Sequence, residues 1–511
     1  MATPTAEEQL LLEFINAARM DPLGDAARYI SGYSATATSA DANINNAMRF
    51  FGVSGPALQQ ALSALAPADP LAWNDALSNA AIGHNNAMIA ADLQTHQAPG
   101  EAGFGARLTA AGYNFITAGE NVFAFGRSPL EIHAAFMVDW GDGPNGMQSP
   151  AGHRISIMNP DFREAGIAIT PENNGSTQVG PLVVSQEFGA RSQSGVFVLG
   201  VAYNDTDANR FYSVGEGRSG LSVTLGGASV SSAAAGGYSL QSSATGAQTV
   251  TLSGAGLSGP VSVGLNLASG DNVKIDVVGG TTVKVSASAV ISGPVTFIEG
   301  LGARGLSLTA VGNSFHDVQG GSGGDTVTGG SGQNYLRGNG GNDSIQGGVG
   351  FDDINGNMGA DTASGGLGND WVVGGKDDDR MAGDAGDDLV YGNLGNDTCD
   401  GGDGNDTVRG GQGEDIVRGG AGADFISGDL GNDMLSGGAG ADIFNTFAET
   451  GRDWVTDFNA AEGDRVQLAP GTQFMVAQMG ADTVINMTGG GQMILMGVQM
   501  SSLPAGWIFG A

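Results

Sequence analysis

The sequence predicts a multidomain chain: an α+β N-terminal domain, a β-rich middle and a C-terminal parallel β-roll. Three observations carry this. Apolar residues at helical spacing are concentrated in residues 1–192. From Val196 to about Ala310 charge falls away, and Ser, Gly, Val and Thr alternate as in short antiparallel strands. Between Gly320 and Phe444 an acid returns every nine residues. With 511 residues the chain has room for about three domains.

The roll is the most explicit element. Asp325, Asp343, Asp352, Asp361, Asp370, Asp379, Asp388, Asp397, Asp406, Asp415, Asp424, Asp433 and Asp442 fall on one phase of nine, and Asn334 alone breaks the series. A glycine stands five residues before each, and another two before each except at Asp377. Two residues after each comes an apolar side chain, from Val327 to Phe444. Glycine lets each unit open with a turn through positive φ. The x-U-x that follows is a short strand with one side chain inward. Two units make a coil, so residues eighteen apart share an edge. One edge carries Asp325, Asp343, Asp361, Asp379, Asp397, Asp415 and Asp433; the other carries Asn334 followed by Asp352, Asp370, Asp388, Asp406, Asp424 and Asp442. Stacked carboxylates repel unless a cation lies between them, and carboxylates with turn carbonyls are the oxygen set that Ca2+ prefers. The unit, G-G-x-G-x-D-x-U-x, resembles the calcium-binding nonapeptide of RTX proteins.

Composition agrees. Glycine supplies 89 residues, well above the average share of roughly 7 %. The formal charge is -33, close to half of it from the repeat tract. Such an acid excess argues against nucleic acid or an anionic membrane as partner. No apolar run is long enough for a membrane span. The only cysteine is Cys399, at an inward phase, so disulfides play no part. Met1 to Thr5 has neither the basic region nor the apolar core of a cleaved signal peptide.

In the first 192 residues, Thr5-Ala6-Glu7-Glu8 reads as a capping box. It opens a helix with Leu10, Leu11, Phe14, Ile15 and Ala18 on one stripe, ended by Asp21-Pro22. Further helices are expected near Asp75 to Ala91 and Pro129 to Val138, and strands at Ala165 to Ile169 and Leu182 to Phe188. His84 and His133 lie on helical stripes and read as core histidines. Leu71 to Leu77, Thr95-His96, Gly119-Glu120-Asn121-Val122 and Gly152 to Pro160, with Phe162 and Gly166, resemble the CAP superfamily (SCP, PR-1-like) in its bacterial form. The resemblance implies an α/β/α sandwich whose cleft holds two histidines and two acids. It places them at His96, Glu120, His153 and Asp139, with Phe136 where the family carries a helical tryptophan. Residues 141–151 look like an insertion beside the cleft. Such a set could bind a Zn2+-class metal through His96 and His153, act as general acid and base, or simply join helices to sheet.

The middle opens with Asp205, Asp207, Asn209 and Glu216 at positions 1, 3, 5 and 12 of an EF-hand-like loop, with Arg210 where glycine is usual. The surrounding residues, Gly200 to Asp205, Gly215 to Gly217, Leu221 to Leu225, Gly236 to Leu240 and Thr249 to Ser253, resemble SdrD B-like modules, which are small β-sandwiches holding calcium at the equivalent loop. After the repeats, Ala441 to Phe444, Asp453 to Phe458 and Gly480 to Ile485 resemble the C-terminal end of proteins exported by type I secretion.

The predicted division is 1–192 (CAP-like), 193–265 (β-sandwich), 266–319 (β-rich leading cap of the roll), 320–445 (roll) and 446–511 (terminal β cap with export signal). The function expected is that of a calcium-binding protein secreted by a Gram-negative cell through a type I exporter. Its CAP cleft would capture an extracellular lipid, peptide or cell-surface component. The alternative is a secreted hydrolase using the His/acid cleft. There is no H-E-x-x-H, and the one G-x-S-x-G, Gly320 to Gly324, lies in the glycine repeat without the strand-turn-helix setting of a nucleophile elbow.

Overall fold

The computed structural model describes residues 3–192 and 195–510. They fall into two compact units, residues 1–288 with 301–303, and residues 289–300 with 304–511.

In the first unit the capping box is present: Thr5 Oγ1 accepts from Glu8 N at 3.2 Å and Thr5 N donates to Glu8 Oε2 at 2.9 Å. The helix runs Ala6–Met20. Asp75–Ala91 is helical from end to end, with Asn74 as its cap. The helix at Pro129 lasts to Ala134 and then widens into a π turn, Ala135–Asp139. Helices Ala42–Phe51, Gly55–Ser63, Phe104–Ala110 and Gly152–Met158 carry weaker sequence signals; Asp41 and Ser54 cap the first two by accepting backbone N–H groups, whereas the other two start without a side-chain cap.

Four strands form the sheet, in the order Ala72–Trp73, Glu164–Pro171, Leu182–Ala190, Thr117–Gly126. Alternation along Leu182–Ala190 makes the three layers. Val184 and Phe188 pack with Leu11 and Ile15 of the first helix, whereas Val183 packs with Met88 of the helix Asp75–Ala91. This is the α/β/α sandwich expected. Gly166 explains itself here, since a Cβ on it would stand 2.0 Å from Ser78 N. Two buried polar groups act as crosslinks. Arg19 donates to the carbonyls of Asp69, Ile157 and Asn159, and Asn85 donates to those of Ala168 and Val183.

Residues 196–285 add two sheets. In one, Val196–Tyr203 pairs antiparallel with Gly237–Ser242 and parallel with Asn272–Val278, which pairs with Thr282–Val285. In the other, Leu221–Leu225, Ala228–Ser231, Gly246–Gly254 and Val261–Leu267 are antiparallel. A buried ion trio fixes the first of these sheets to the N-terminal helix. Lys274 Nζ lies 2.8 Å from Glu13 Oε2 and also contacts Asp276, whose Oδ1 accepts Val201 N at 2.9 Å. Nothing in the sequence pairs residues 13 and 274.

The second unit is a two-sided parallel roll. Within the repeats each strand pairs with the strand eighteen residues on, for example Ile345 with Ala363 and Ile354 with Val372. All fourteen inward residues from Val327 to Phe444 are at most 2 % exposed. Each large aliphatic member contributes about 1.5–3 kcal/mol by its burial. Cys399 is one of them, and burial pushes its thiol up, so it is inert packing. Beyond the repeats, Phe474–Met479, Asp482–Met487 and Gln492–Leu495 form an antiparallel sheet that joins the roll through Arg452–Val455.

Removing the Lys274 charge leaves Glu13 and Asp276 buried together. Lys274→Met is expected to destabilise the first unit by about 3–5 kcal/mol, read as a lower urea midpoint for that transition.

Candidate functional site

The cleft residues come from different elements. Strand alternation sends Glu120 toward the helices Asp75–Ala91 and Phe104–Ala110 and sends its neighbour Asn121 the other way. His96 Nδ1 lies 2.9 Å from Glu120 Oε1, Arg107 makes a close ion pair with Glu120 Oε2, and the buried His84 lies 3.8 Å from it. His84 is otherwise satisfied by Glu101 and the Thr95 carbonyl, each at 2.9 Å. On the other side Asn121 Nδ2 reaches the His153 carbonyl at 3.1 Å. His153 Nδ1 lies 2.8 Å from Asp139 Oδ1, and Asp139 Oδ2 accepts His153 N at 3.0 Å. Asp139 is buried and takes φ +55 at the end of the π turn, a left-handed backbone uncommon for a residue other than glycine. The loop 141–151 returns the chain from there, with Gln148 N on the Asp139 carbonyl at 2.7 Å.

The four residues therefore form two His–carboxylate pairs. Among the described residues, the one group of three or more His, Cys, Asp or Glu with ligand atoms all within 4.8 Å is Asp205, Asp207 and Glu216. A water-activating zinc needs three protein donors around one ion, and the expected Zn2+-class site across His96 and His153 is not gathered. His133 is buried against Asp25 at 2.7 Å.

Electrostatics separates the groups further. The hydrogen bond to Glu120 raises His96, whose side chain is 63 % exposed. Burial alone would raise Glu120, but the His96 hydrogen bond and the charges of His84 and Arg107 hold it below the usual carboxylate range. Glu187, opposite Glu120 in the strand pair, was not foreseen. It is fully buried and neither oxygen receives a hydrogen bond. Burial and the neighbouring Glu120 push it well above the ordinary range. Glu120 and Glu187 thus respond oppositely to the same surroundings, one held down and the other pushed up. The sequence signal was the glutamate itself, a charge at an inward phase of a strand that is otherwise apolar or neutral.

In the middle sheets, Asp205, Asp207 and Glu216 converge as the spacing predicted. Asp205 accepts the N–H of Asn209 and Arg210, and Glu216 accepts those of Thr206 and Ser213. Arg210 takes φ +60 where a glycine was expected.

In the roll the aspartates form two ladders. Each repeat residue donates its N–H to Oδ1 of the aspartate eighteen residues on, from Asp325 to Asp433 on one edge and from Asn334 to Asp442 on the other, at 2.7–3.0 Å. In each aspartate on the repeat phase from Asp343 to Asp442, Oδ2 is buried and has no hydrogen-bond partner. The glycine five residues earlier closes over it. A Cβ on Gly374 would stand 2.4 Å from Asp379 Oδ2 and 2.8 Å from the Gly392 carbonyl oxygen. Orphaned carboxylate oxygens beside glycine carbonyls are the donor set a calcium ion takes. At Asn334, which breaks the series, the side-chain amide donates to Asp352 Oδ1 at 2.7 Å, and Asp352 Oδ2 still has no partner.

Two family models match. Residues 12–188 fit the Cysteine-rich secretory protein family, CAP, and residues 319–354, 355–390, 373–408 and 409–444 fit the RTX calcium-binding nonapeptide repeat.

Residues 12–188 are a CAP domain, and residues 319–444 are RTX repeats.

The CAP domain contains no cysteine despite its family's name. Among solved structures, an extracellular protein containing an SCP domain from Bacillus anthracis str. Ames is 21 % identical, with a TM-score of 0.19, over 29 % of this chain and 41 % of that one. Extracellular lipase LipA from Serratia marcescens is 19 % identical, with a TM-score of 0.17, over 44 % of this chain and 45 % of that one. This chain thus spans under half of either protein, and superpositions so loose add nothing to the family matches. No curated protein matches the chain. The repeats mark a calcium-binding protein.

Two predictions follow the charges. Without metal, burial and neighbouring acids push Asp370, Asp379, Asp406 and Asp415 up to about 7 from 3.8. Their raised values favour the folded, protonated roll below pH 4, a contribution lost as pH rises toward 7. In chelator, the β signal of residues 320–445 should be stronger at pH 5 than at pH 7.5, and calcium should abolish the difference. In the CAP domain the raised Glu187 contributes stability below pH 4.5 that is lost as pH rises. Glu187→Gln should therefore flatten the pH dependence of its unfolding and cost little at pH 8. A large loss at pH 8 would instead indicate a charged Glu187.

Proposed function

We propose that this is an extracellular calcium-folded protein that presents a CAP domain as a binding or scaffold element. The observation that carries the reading is the pair of buried aspartate ladders with one oxygen of each carboxylate unpartnered. Glycine-rich chain is costly to order, and one apolar residue in nine offsets little of that cost. Metal binding then supplies the folding free energy. In a calcium-poor cytosol the tract stays unfolded and can thread an exporter; outside, it closes. The thirteen repeat aspartates, together with Asp205, Asp207, Asn209 and Glu216, are the proposed ligands. A type I exporter reading residues 446–511 is the partner this order of events calls for, in a Gram-negative cell.

The ligand of the CAP cleft is an extracellular lipid, peptide or cell-surface component, met by the partly exposed His96 and His153 of the two His–carboxylate pairs. Hydrolysis has no supporting observation, because among the described residues the two pairs do not converge.

In cells carrying a type I exporter, deletion of residues 446–511 should retain the protein inside, and deletion of residues 1–192 should leave export intact. The exported chain should gain β circular dichroism on adding millimolar Ca2+ and far less with Mg2+. A chain already β-rich in its repeats in excess chelator would overturn the calcium part. Normal export of the C-terminal truncation would overturn the export part alone.

A further inference from the structure

The ladders do not end with the repeats. After Asp433 the next strand is offset by twenty residues instead of eighteen, with Met434 paired to Trp454 and Leu435 to Val455. The sequence across that offset is Gly451-Arg452-Asp453-Trp454-Val455, with its aspartate two residues out of the nine-residue phase. Its parts behave as in the repeats. Gly451 takes φ +103, and a Cβ on it would stand 1.9 Å from the Gly431 carbonyl oxygen. Val455 is fully buried, and Asn432 Oδ1 accepts Arg452 N at 3.1 Å. Asp433 N lies 3.4 Å from Asp453 Oδ1. Asp453 is 1 % exposed, and its Oδ2, like that of Asp433, has no hydrogen-bond partner.

The other ladder ends differently. Asp442 N donates to Asp464 Oδ1 at 3.1 Å, but Asp464 Oδ2 accepts Asn459 N at 2.7 Å, so the protein itself fills that place. The opposite end is closed too, since Asp325 Oδ2 accepts Gly321 N at 2.6 Å and Asn334 supplies its amide. Of these four ladder ends, the one at Asp453 is left open.

We propose that Asp433 and Asp453 hold a further calcium ion, outside the nonapeptide phase, that staples the C-terminal cap to the roll. Asp453 lies in the strand Arg452–Val455, through which the antiparallel sheet of residues 474–495 joins the roll. An ion there makes docking of the cap a calcium-dependent event. This rests on the calcium reading of the roll. It adds that the segment proposed to be read by the exporter becomes fixed only outside the cell, and that the two ladders differ in the number of ions they carry.

Calcium bound per chain, measured on the full-length protein after equilibrium dialysis, tests it. Asp453→Asn should bind one ion fewer than the wild type, and Asp464→Asn the same number. Equal numbers for Asp453→Asn and the wild type would overturn the proposal and leave the roll's own sites standing. A wild type that binds no calcium would overturn both. Because Asp453→Asn could simply unfold the cap, crystals of the wild type grown with Tb3+ provide a test without mutation. An anomalous peak between Asp433 and Asp453 is expected. Peaks along Asp379 to Asp433 with none at Asp453 would overturn the proposal.

Discussion

The second unit depends on one contact: an aspartate N–H donating to Oδ1 of the aspartate eighteen residues ahead. It fixes the register of the coil and stacks the carboxylates in a column. It also uses one oxygen of each carboxylate for backbone and leaves the other buried without a partner. A buried charge with nothing to meet it is costly, so the same contact that defines the fold makes it incomplete. Protons at low pH can complete it, and so can the calcium that such repeats bind. The glycine over each carboxylate, the inward column from Val327 to Phe444 and the open end at Asp453 all follow from that arrangement.

The first unit meets many of its buried polar groups with its own side chains. Arg19 and Asn85 satisfy carbonyls, Lys274 holds two acids, and Glu187, pushed up by burial, lies opposite Glu120. Its cleft groups engage each other in pairs, with Nδ1 of His96 and of His153 turned to a carboxylate. The two parts of the chain therefore respond differently to the same surroundings. One pairs its cleft groups with each other, and the other leaves a column of buried carboxylate oxygens without a partner.

Much of this was legible in residues alone. The nine-residue phase carried the roll, its inward column and its stacked carboxylates, because a strict repeat leaves one periodic solution. The capping box, the helix at Asp75 and the strands at 165 and 182 followed from local chemistry. The short helices between residues 42 and 63 were harder to read, since their stripes are brief and their caps ordinary.

What the sequence determined by itself was therefore whatever is set by neighbours within one turn, or by a repeat that brings each residue to its own kind. What tertiary structure alone decided was the meeting of unlike residues far apart in the chain. Glu187 falls beside Glu120 because two antiparallel strands set their register. Lys274 reaches Glu13 across a helix–sheet contact. Glu120 and Asn121 part to opposite sides because a strand alternates, which divides the four cleft residues into two pairs. Asp453 rejoins its ladder after an offset that hides it from any nine-residue count. In each case the physical reason is the same: local spacing constrains direction, but only packing of the whole chain decides what lies at the end of it.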